Sequence, residues 1–321
     1  MTGRRPEPPE ARAVLARDRR VLARLISMVE NGDPRARPIQ KALYPHTGHA
    51  RIVGITGPLG VGKSSLVNAL LGVLRARGAR VGIIGVDPTS PFSGGSVLGD
   101  RIRIDRAGGD EGVFFRSMAS RGHTGGIAAT TREVARLLDA FGMDIVLVET
   151  VGSGQVDVEI RRIASTSVVV LVPHLGDGVQ SLKAGLFEIA DVFTINKADL
   201  PGADGAARYL SEMTALGAGP DGWTPPVVQC STVEGRGIED LWKAVEAHEA
   251  FLDSGPGRAR GEEARARAEI VDRVTGRIGL RLDGLLEENR ELRELLGQVL
   301  DRSLDPGTAS DRIYAALRHR L

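Results

Sequence analysis

The chain has 321 residues, 42% of them apolar and 26% charged, which are ordinary values for a globular protein with room for one large domain and helical extensions. Its 42 Lys and Arg nearly balance its 41 Asp and Glu, so no charge excess argues for a nucleic acid or a membrane surface as partner. One cysteine, Cys230, excludes an internal disulfide and a Cys-based metal cage, and no apolar run reaches the length of a bilayer span.

The first twenty residues are Arg-rich, but Glu7, Glu10 and Asp18 argue against a transit peptide and no apolar core of a secretory signal follows. A cytoplasmic protein is expected. Val14, Leu22, Leu25, Ile26 and Val29 recur at helical spacing, and the Asn31-Gly32-Asp33-Pro34 cluster ends that pattern. Residues 1–50 therefore read as an N-terminal helical extension. Apolar strand-like runs then follow at 51–56, 80–86, 144–149, 167–172, 191–195 and 226–229, most of them separated by helical stretches. Runs rich in Val and Ile without polar alternation are buried on both faces, which predicts an α/β fold with a mostly parallel sheet flanked by helices over 51–253. Ser254-Gly255-Pro256-Gly257 is a linker candidate. Residues 254–321 read as a charged helical region, with an apolar stripe of Leu285, Leu292, Leu295, Leu296, Val299 and Leu300 and a break at Asp305-Pro306-Gly307.

The strongest chemical signal is GPLGVGKSS, residues 57–65. It fits Gly-x-x-x-x-Gly-Lys-Ser between a buried strand and a helix, the context a phosphate-binding loop requires. Gly57 and Gly62, aided by Gly60, let successive N–H groups turn toward phosphate oxygens, and the helix N-terminus adds its dipole. Pro58, Leu59, Val61 and Ser65 complete the nucleotide-binding stretch. Lys63 would reach the β/γ-phosphates, and the Ser64 hydroxyl would ligate Mg2+. A bare Gly-rich turn is the bland alternative, and the intact strand–loop–helix frame disfavours it.

NKAD, residues 196–199, follows the 191–195 run at the edge where a parallel sheet places ligands. The Asp199 carboxylate would accept from guanine N1–H and its exocyclic amine, a pair that adenine lacks. Asn196 would tie this loop to the phosphate loop, and the Lys197 stem would pack on the base. Cys230, Ser231 and Thr232 fall where a last loop would offer N–H groups to the guanine oxygen. In ETVGSGQ, residues 149–155, Glu149 stands where GTPase switches usually carry Asp, and Gly152 would offer its N–H to a γ-phosphate. Glu149 would hold Mg2+ directly or through water, because Mg2+ keeps several waters. Asp87 would orient the attacking water or a metal-bound one. The bland readings are a solvated Glu and a turn-capping Asp.

GPLGVGKSS, VDPTSPFSGGSVLGDR (86–101), RSMASRGHTGG (116–126), ETVGSGQVDVEI (149–160), GDGVQSLKAG (176–185) and NKADLPGAD (196–204) together resemble the methylmalonyl-CoA mutase-associated GTPases, the MeaB/ArgK type. The resemblance runs through most of the chain, and Glu in the switch position is a mark of the wider group. It implies a P-loop GTPase that binds GTP or GDP with Mg2+ and hydrolyses GTP faster when docked on an adenosylcobalamin-dependent acyl-CoA mutase. Such a protein gates cofactor loading and protects or reactivates the mutase, without binding cobalamin itself. The resemblance also implies a switch at 87–100 in which Asp100 joins the metal site. A third switch around 174–185 has Gln180 and Lys183 as its coupling residues, and the C-terminal helices form a homodimer. The sequence departs from the pattern at Leu59, Ser65, His174 and Leu175.

Other features have plainer readings. His46 and His49 lack companions for a metal cage, and Arg101, Arg103, Arg116 and Arg121 read as solvated or ion-paired. Two alternatives stand beside the GTPase: a small-molecule kinase on the same phosphate loop, which Asp199 disfavours, and a nonenzymatic scaffold whose nucleotide is only structural.

Overall fold

A computed structural model describes residues 7–87, 109–119, 126–150, 159–173, 184–215 and 222–318, with the side chain of Asp87 outside that set. The chain divides into two compact units, Met1–Ala266 and Arg267–Leu321.

The first unit is built on a sheet of β1 (Arg51–Thr56), β2 (Val81–Asp87), β3 (Val113–Ala119), β4 (Ile145–Thr150), β5 (Thr166–Leu171), β6 (Val192–Ile195) and β7 (Val227–Gln229). These seven lie in the order β3-β2-β4-β1-β5-β6-β7, and every neighbouring pair is parallel. The expected parallel α/β architecture is present, and each predicted run lies within about one residue of a strand. β3 was not foreseen. It is an edge strand, and its VFFRSMA sequence lacks the uniform apolar run of the inner strands.

Successive strand residues serve opposite faces. Val81 and Ile83, Ile145 and Leu147, and Val168 and Val170 join one core cluster with α4 (Lys63–Ala76) and α8 (Ile238–Asp253). Ile84 and Val86, Val146 and Val148, and Val169 and Leu171 join the other with α5 (Gly126–Ala140) and α7 (Ala203–Ala215). A short α6 (Ala184–Ile189) contributes Ile189 to that second cluster. The N-terminal helices α1 (Pro9–Leu15), α2 (Arg19–Glu30) and α3 (Ala36–Leu43) also belong to it, through Val14, Leu22, Leu25, Ile26, Ile39 and Leu43. Helices α1 to α3 thus supply a wall of the core.

Local chemistry sets several element ends. The Asp18 carboxylate caps α2 by accepting from Arg20 N–H at 2.9 Å and Val21 N–H at 3.1 Å. Arg116 on edge strand β3 donates to Glu30 at 2.9 Å and to Ser27 Oγ at 3.0 Å, which ties that strand to α2. Asp139 at the end of α5 accepts from the N–H groups of Gly48, His49 and Ala50 at 2.5, 3.2 and 2.9 Å. The His46–His49 loop is therefore an anion-anchored turn, with His46 Nε2 4.0 Å from Glu7.

Ser254 to Pro256 joins α8 to α9 (Gly257–Glu288). The boundary between the units falls inside α9. The second unit continues with α10 (Arg290–Leu300), capped by Asn289 at 2.9 Å to Glu291 N–H, and with α11 (Pro306–Arg318). Leu292 and Ala309 are buried there, whereas Ile270, Val271, Val274, Ile278, Leu280, Leu296 and Leu300 are exposed. Among the described residues no helix is long and apolar enough to cross a membrane.

Candidate functional site

The carboxyl ends of β1, β6 and β7 bring the 57–62, 196–199 and 230–236 segments to the edge where open parallel sheets bind ligands, with the end of β4 beside β1. The loop from β1 to α4 turns on left-handed glycines, Gly57 at φ 142°, Gly60 at 80° and Gly62 at 91°. At Gly57 a Cβ would stand 2.2 Å from the Val170 carbonyl oxygen, so nothing larger fits against β5. Gly62 is the N-cap of α4, and the first-turn amides of a helix point out of its N-terminus. Leu66, Leu70 and Leu74 bury the inner face of α4, each worth about 1.5–3 kcal/mol, which fixes that terminus against the sheet.

Lys63 is nearly buried, and its Nζ donates to the carbonyls of Gly57 at 2.7 Å and Pro58 at 2.9 Å. The ammonium thus lies along the rim of its own loop. Ser64 Oγ donates to Glu149 Oε1 at 2.5 Å. Register explains the meeting: Ile55 lies opposite Glu149, so the last turn of β4 runs beside the start of the phosphate loop. Just below, the buried hydroxyls of Thr56 and Thr150 are 2.8 Å apart and join the two strand ends. Val86 lies opposite Thr150, which places the Asp87 backbone one step beyond on the same edge. Asp100, Gly152, Gln180 and Lys183 lie outside the described residues, as do Arg101, Arg103, Arg121, His174 and Leu175.

The NKAD loop docks on the phosphate loop. Asn196 Nδ2 donates to the Val61 carbonyl at 2.8 Å, and its buried Oδ1 has no hydrogen-bond partner among the described residues. Lys197 adopts φ 56°, a left-handed conformation uncommon outside glycine, and its Nζ donates to the Gly60 carbonyl at 2.9 Å. Leu59 is largely exposed at the loop tip.

Asp199 is exposed, and Ser231 Oγ donates to its Oδ1 at 2.6 Å. That bond first, together with its own backbone N–H and the charges of Arg236 and Lys197, holds the Asp199 carboxyl below the usual carboxylate range. In the 230–232 loop two of the amides expected to face guanine are engaged within the fold. Cys230 N–H is taken by the Ile195 carbonyl at 2.8 Å and Ser231 N–H by the Arg236 carbonyl at 2.9 Å, so the ladder claims both amides. Cys230 is a core residue whose Sγ donates to the Gly237 carbonyl at 3.2 Å, and burial pushes its thiol pKa up. Ser231 contributes its hydroxyl instead. The Cys-Ser-Thr string carried no signal to separate side chain from amide.

The donors here suit a magnesium nucleotide. Glycine-shaped amides and a lysine suit phosphate, and a hydroxyl and a carboxylate within 2.5 Å supply the hard oxygens that Mg2+ takes. The Asn196 oxygen, buried without a partner among the described residues, is a further acceptor beside the loop.

Fold and site define a P-loop nucleotide-hydrolysing protein. The profile of the family described as Methylmalonyl Co-A mutase-associated GTPase MeaB matches residues 22–283, and the chain belongs to that family. It is a GTPase of the MeaB/ArgK type. A relative from Pyrococcus horikoshii is 44% identical over 301 residues, covering 92% of this chain and 93% of its own. The GTPase ArgK of Escherichia coli is 37% identical over 300 residues, covering 91% and 90%. The mitochondrial methylmalonic aciduria type A homolog of Mus musculus is 32% identical over 285 residues, covering 84% of this chain and 66% of that one. The crystal structure of LAO/AO transport system kinase matches with a TM-score of 0.74 at 26% identity, over 96% of each chain.

Proposed function

We propose that this GTPase is a nucleotide-dependent chaperone of an adenosylcobalamin-dependent acyl-CoA mutase, gating loading of the mutase cofactor and protecting or reactivating the enzyme. The observation that carries this reading is the Ser64–Glu149 contact of 2.5 Å. It ties Ser64, at the end of the phosphate loop, to Glu149, the first residue of the stretch read as the second switch. The family description and the mouse relative's name point to the mutase as the client.

In the reaction, Lys63 exchanges its bonds to Gly57 and Pro58 for β/γ-phosphate oxygens. The phosphate-loop amides spread the charge of the transferring phosphoryl group. Ser64, Asp87, Asp100 and Glu149 would hold Mg2+, which supplies further neutralisation of that charge when bound. Gly152 offers its N–H to the γ-phosphate, and Asp87 places the attacking water. Asp199 selects guanine, and Gln180 and Lys183 carry the nucleotide state to the mutase. The kinase alternative fits poorly with a carboxylate in the base-reading loop and relatives named GTPases. Cobalamin is the mutase's cofactor in this reading, and no cobalamin site is assigned to this chain.

A homodimer formed through the C-terminal helices fits the same reading. Ile270, Val274 and Ile278 repeat every fourth residue along α9 and are exposed in the single chain. The central test measures GTP turnover with and without a cobalamin-dependent mutase from the same genome. A rise of tenfold or more, about 1.4 kcal/mol in barrier, is expected; equal rates would remove the coupling.

A further inference from the structure

We propose that Arg236 is a positioning residue for base selection, holding the peptide before Asp199 so that its carboxylate meets guanine with both hydrogen bonds available. The inference rests on Asp199 as the base-reading group. Its ground is how Arg236 joins two loops at once. Its backbone pairs with Ser231 in both directions, Ser231 N–H to Arg236 O at 2.9 Å and Arg236 N–H to Ser231 O at 3.1 Å. Its guanidinium Nη2 leaves that bridge and donates to the Ala198 carbonyl at 3.1 Å.

The Ala198 carbonyl belongs to the peptide plane that enters Asp199. Rotation of that plane swings the Asp199 side chain relative to the base. Ala198 is held from the other side too, its N–H donating to the Cys230 carbonyl at 2.9 Å. The backbone of Lys197 is left-handed just before, a conformation that costs a non-glycine residue free energy that outside contacts must offset. Through Ser231 the same bridge reaches the carboxylate itself. Glu234 N–H donates to Ser231 Oγ at 3.2 Å, which leaves the hydroxyl proton to point at Asp199 Oδ1 at 2.6 Å. Gly237, at φ 76°, lets the chain leave the bridge at once, and a Cβ there would stand 2.0 Å from the Gln229 carbonyl.

The pair of Arg236 with Glu234, at 3.4 Å between exposed side chains, adds little. The positive charge of Arg236 also helps to keep Asp199 ionised. A lysine would supply charge without the planar guanidinium whose Nη2 reaches the Ala198 carbonyl.

The test compares calorimetric Kd values for GDP and IDP in wild type, Arg236→Ala and Arg236→Lys. Hypoxanthine lacks the exocyclic amine, so it reads one of the two Asp199 bonds. Wild type should favour GDP by about tenfold or more, the worth of one hydrogen bond to a charged acceptor. Arg236→Ala should weaken GDP about fivefold and IDP about twofold, which shrinks the ratio, and Arg236→Lys should fall between. The acid limb of GDP binding should move to higher pH in Arg236→Ala, because Asp199 loses a nearby cation. An equal fall for both nucleotides, or no fall, would overturn the proposal. A wild type that does not separate GDP from IDP would instead overturn Asp199 as the base reader, and this inference with it.

Discussion

The two ends of the parallel strands use their polar side chains in opposite ways. At the carboxyl edge the contacts run between segments that meet only there: Ser64 to Glu149, Asn196 to Val61, Ser231 to Asp199. Each joins groups that suit a nucleotide or its metal. At the amino edge the polar groups close on one another. Glu249 is fully buried and accepts from Ser165 Oγ at 2.6 Å, Thr166 Oγ1 at 2.7 Å and Arg258 at 2.7 Å. Next to it His248 Nδ1 lies 2.9 Å from Thr166 Oγ1, its Nε2 is 3.5 Å from Asp191, and Trp223 packs on its ring. Trp223 Nε1 donates to the Asp191 carbonyl at 2.8 Å, and Asp191 Oδ2 accepts from Ser167 N–H at 2.8 Å. A closed network holds the fold; contacts between loops can be exchanged for a ligand.

Breaking each edge should therefore give different losses. The largest is expected for Lys63→Ala, a fall of about a thousandfold in GTP turnover, some 4 kcal/mol of transition-state stabilisation, with the melting temperature nearly unchanged. Steady-state phosphate release beside a thermal melt separates the two. Glu249→Ala should do the reverse. It removes three hydrogen bonds at a fully buried acceptor, from Ser165, Thr166 and Arg258, and at about 1 kcal/mol each should cost about 3 kcal/mol of stability in a urea titration. Turnover per folded molecule should stay near wild type.

Asp199→Asn should cost GDP about 2 kcal/mol of affinity and shift preference toward xanthine, whose 2-oxo group accepts from the new amide. Competition binding with XDP checks it.

The smallest effect is in pH. Burial holds the His248 pKa below its ordinary value of 6.5, against the pull of Asp191 and Glu249 and with the nearby charges of Arg161 and Arg258. The folded state then binds fewer protons on this ring than the unfolded state, so stability falls as pH drops below 6.5, by at most about 1.4 kcal/mol per pH unit. Burial raises Asp191, which acts with opposite sign, because its contribution is present at low pH and lost as pH rises through its folded value. Glu249 is pushed up by burial, but bonds from Ser165, Arg258 and Thr166 outweigh that and leave it below 4.5, so its contribution fades only in stronger acid. His248→Gln should flatten the loss seen between about pH 6.5 and 5.5 in denaturant melts.

The same contrast explains how much was legible in the sequence. Strands buried on both faces announce themselves as runs such as IVLVE, and the phosphate loop and NKAD are local strings whose chemistry lies in consecutive residues. β3 escaped because an edge strand that carries Arg116 and Ser117 has no such run. The amino-edge network escaped because Ser165, Asp191, Trp223, His248 and Arg258 come from five separate segments, and only the fold makes them neighbours. The Asp139 anchor of the 48–50 turn joins residues some ninety positions apart, so the His46–His49 spacing held no hint of it. Within the site, the string 230–232 gave no sign that the Ser231 hydroxyl reaches Asp199, since that contact depends on how two distant segments meet.

The most direct measurement is a calorimetric titration of the purified chain with GTP and with ATP in excess Mg2+. The account predicts saturable GTP binding at least about a hundredfold tighter than ATP, a gap of about 2.7 kcal/mol. Equal affinity for the two, or no heat with GTP, would contradict it.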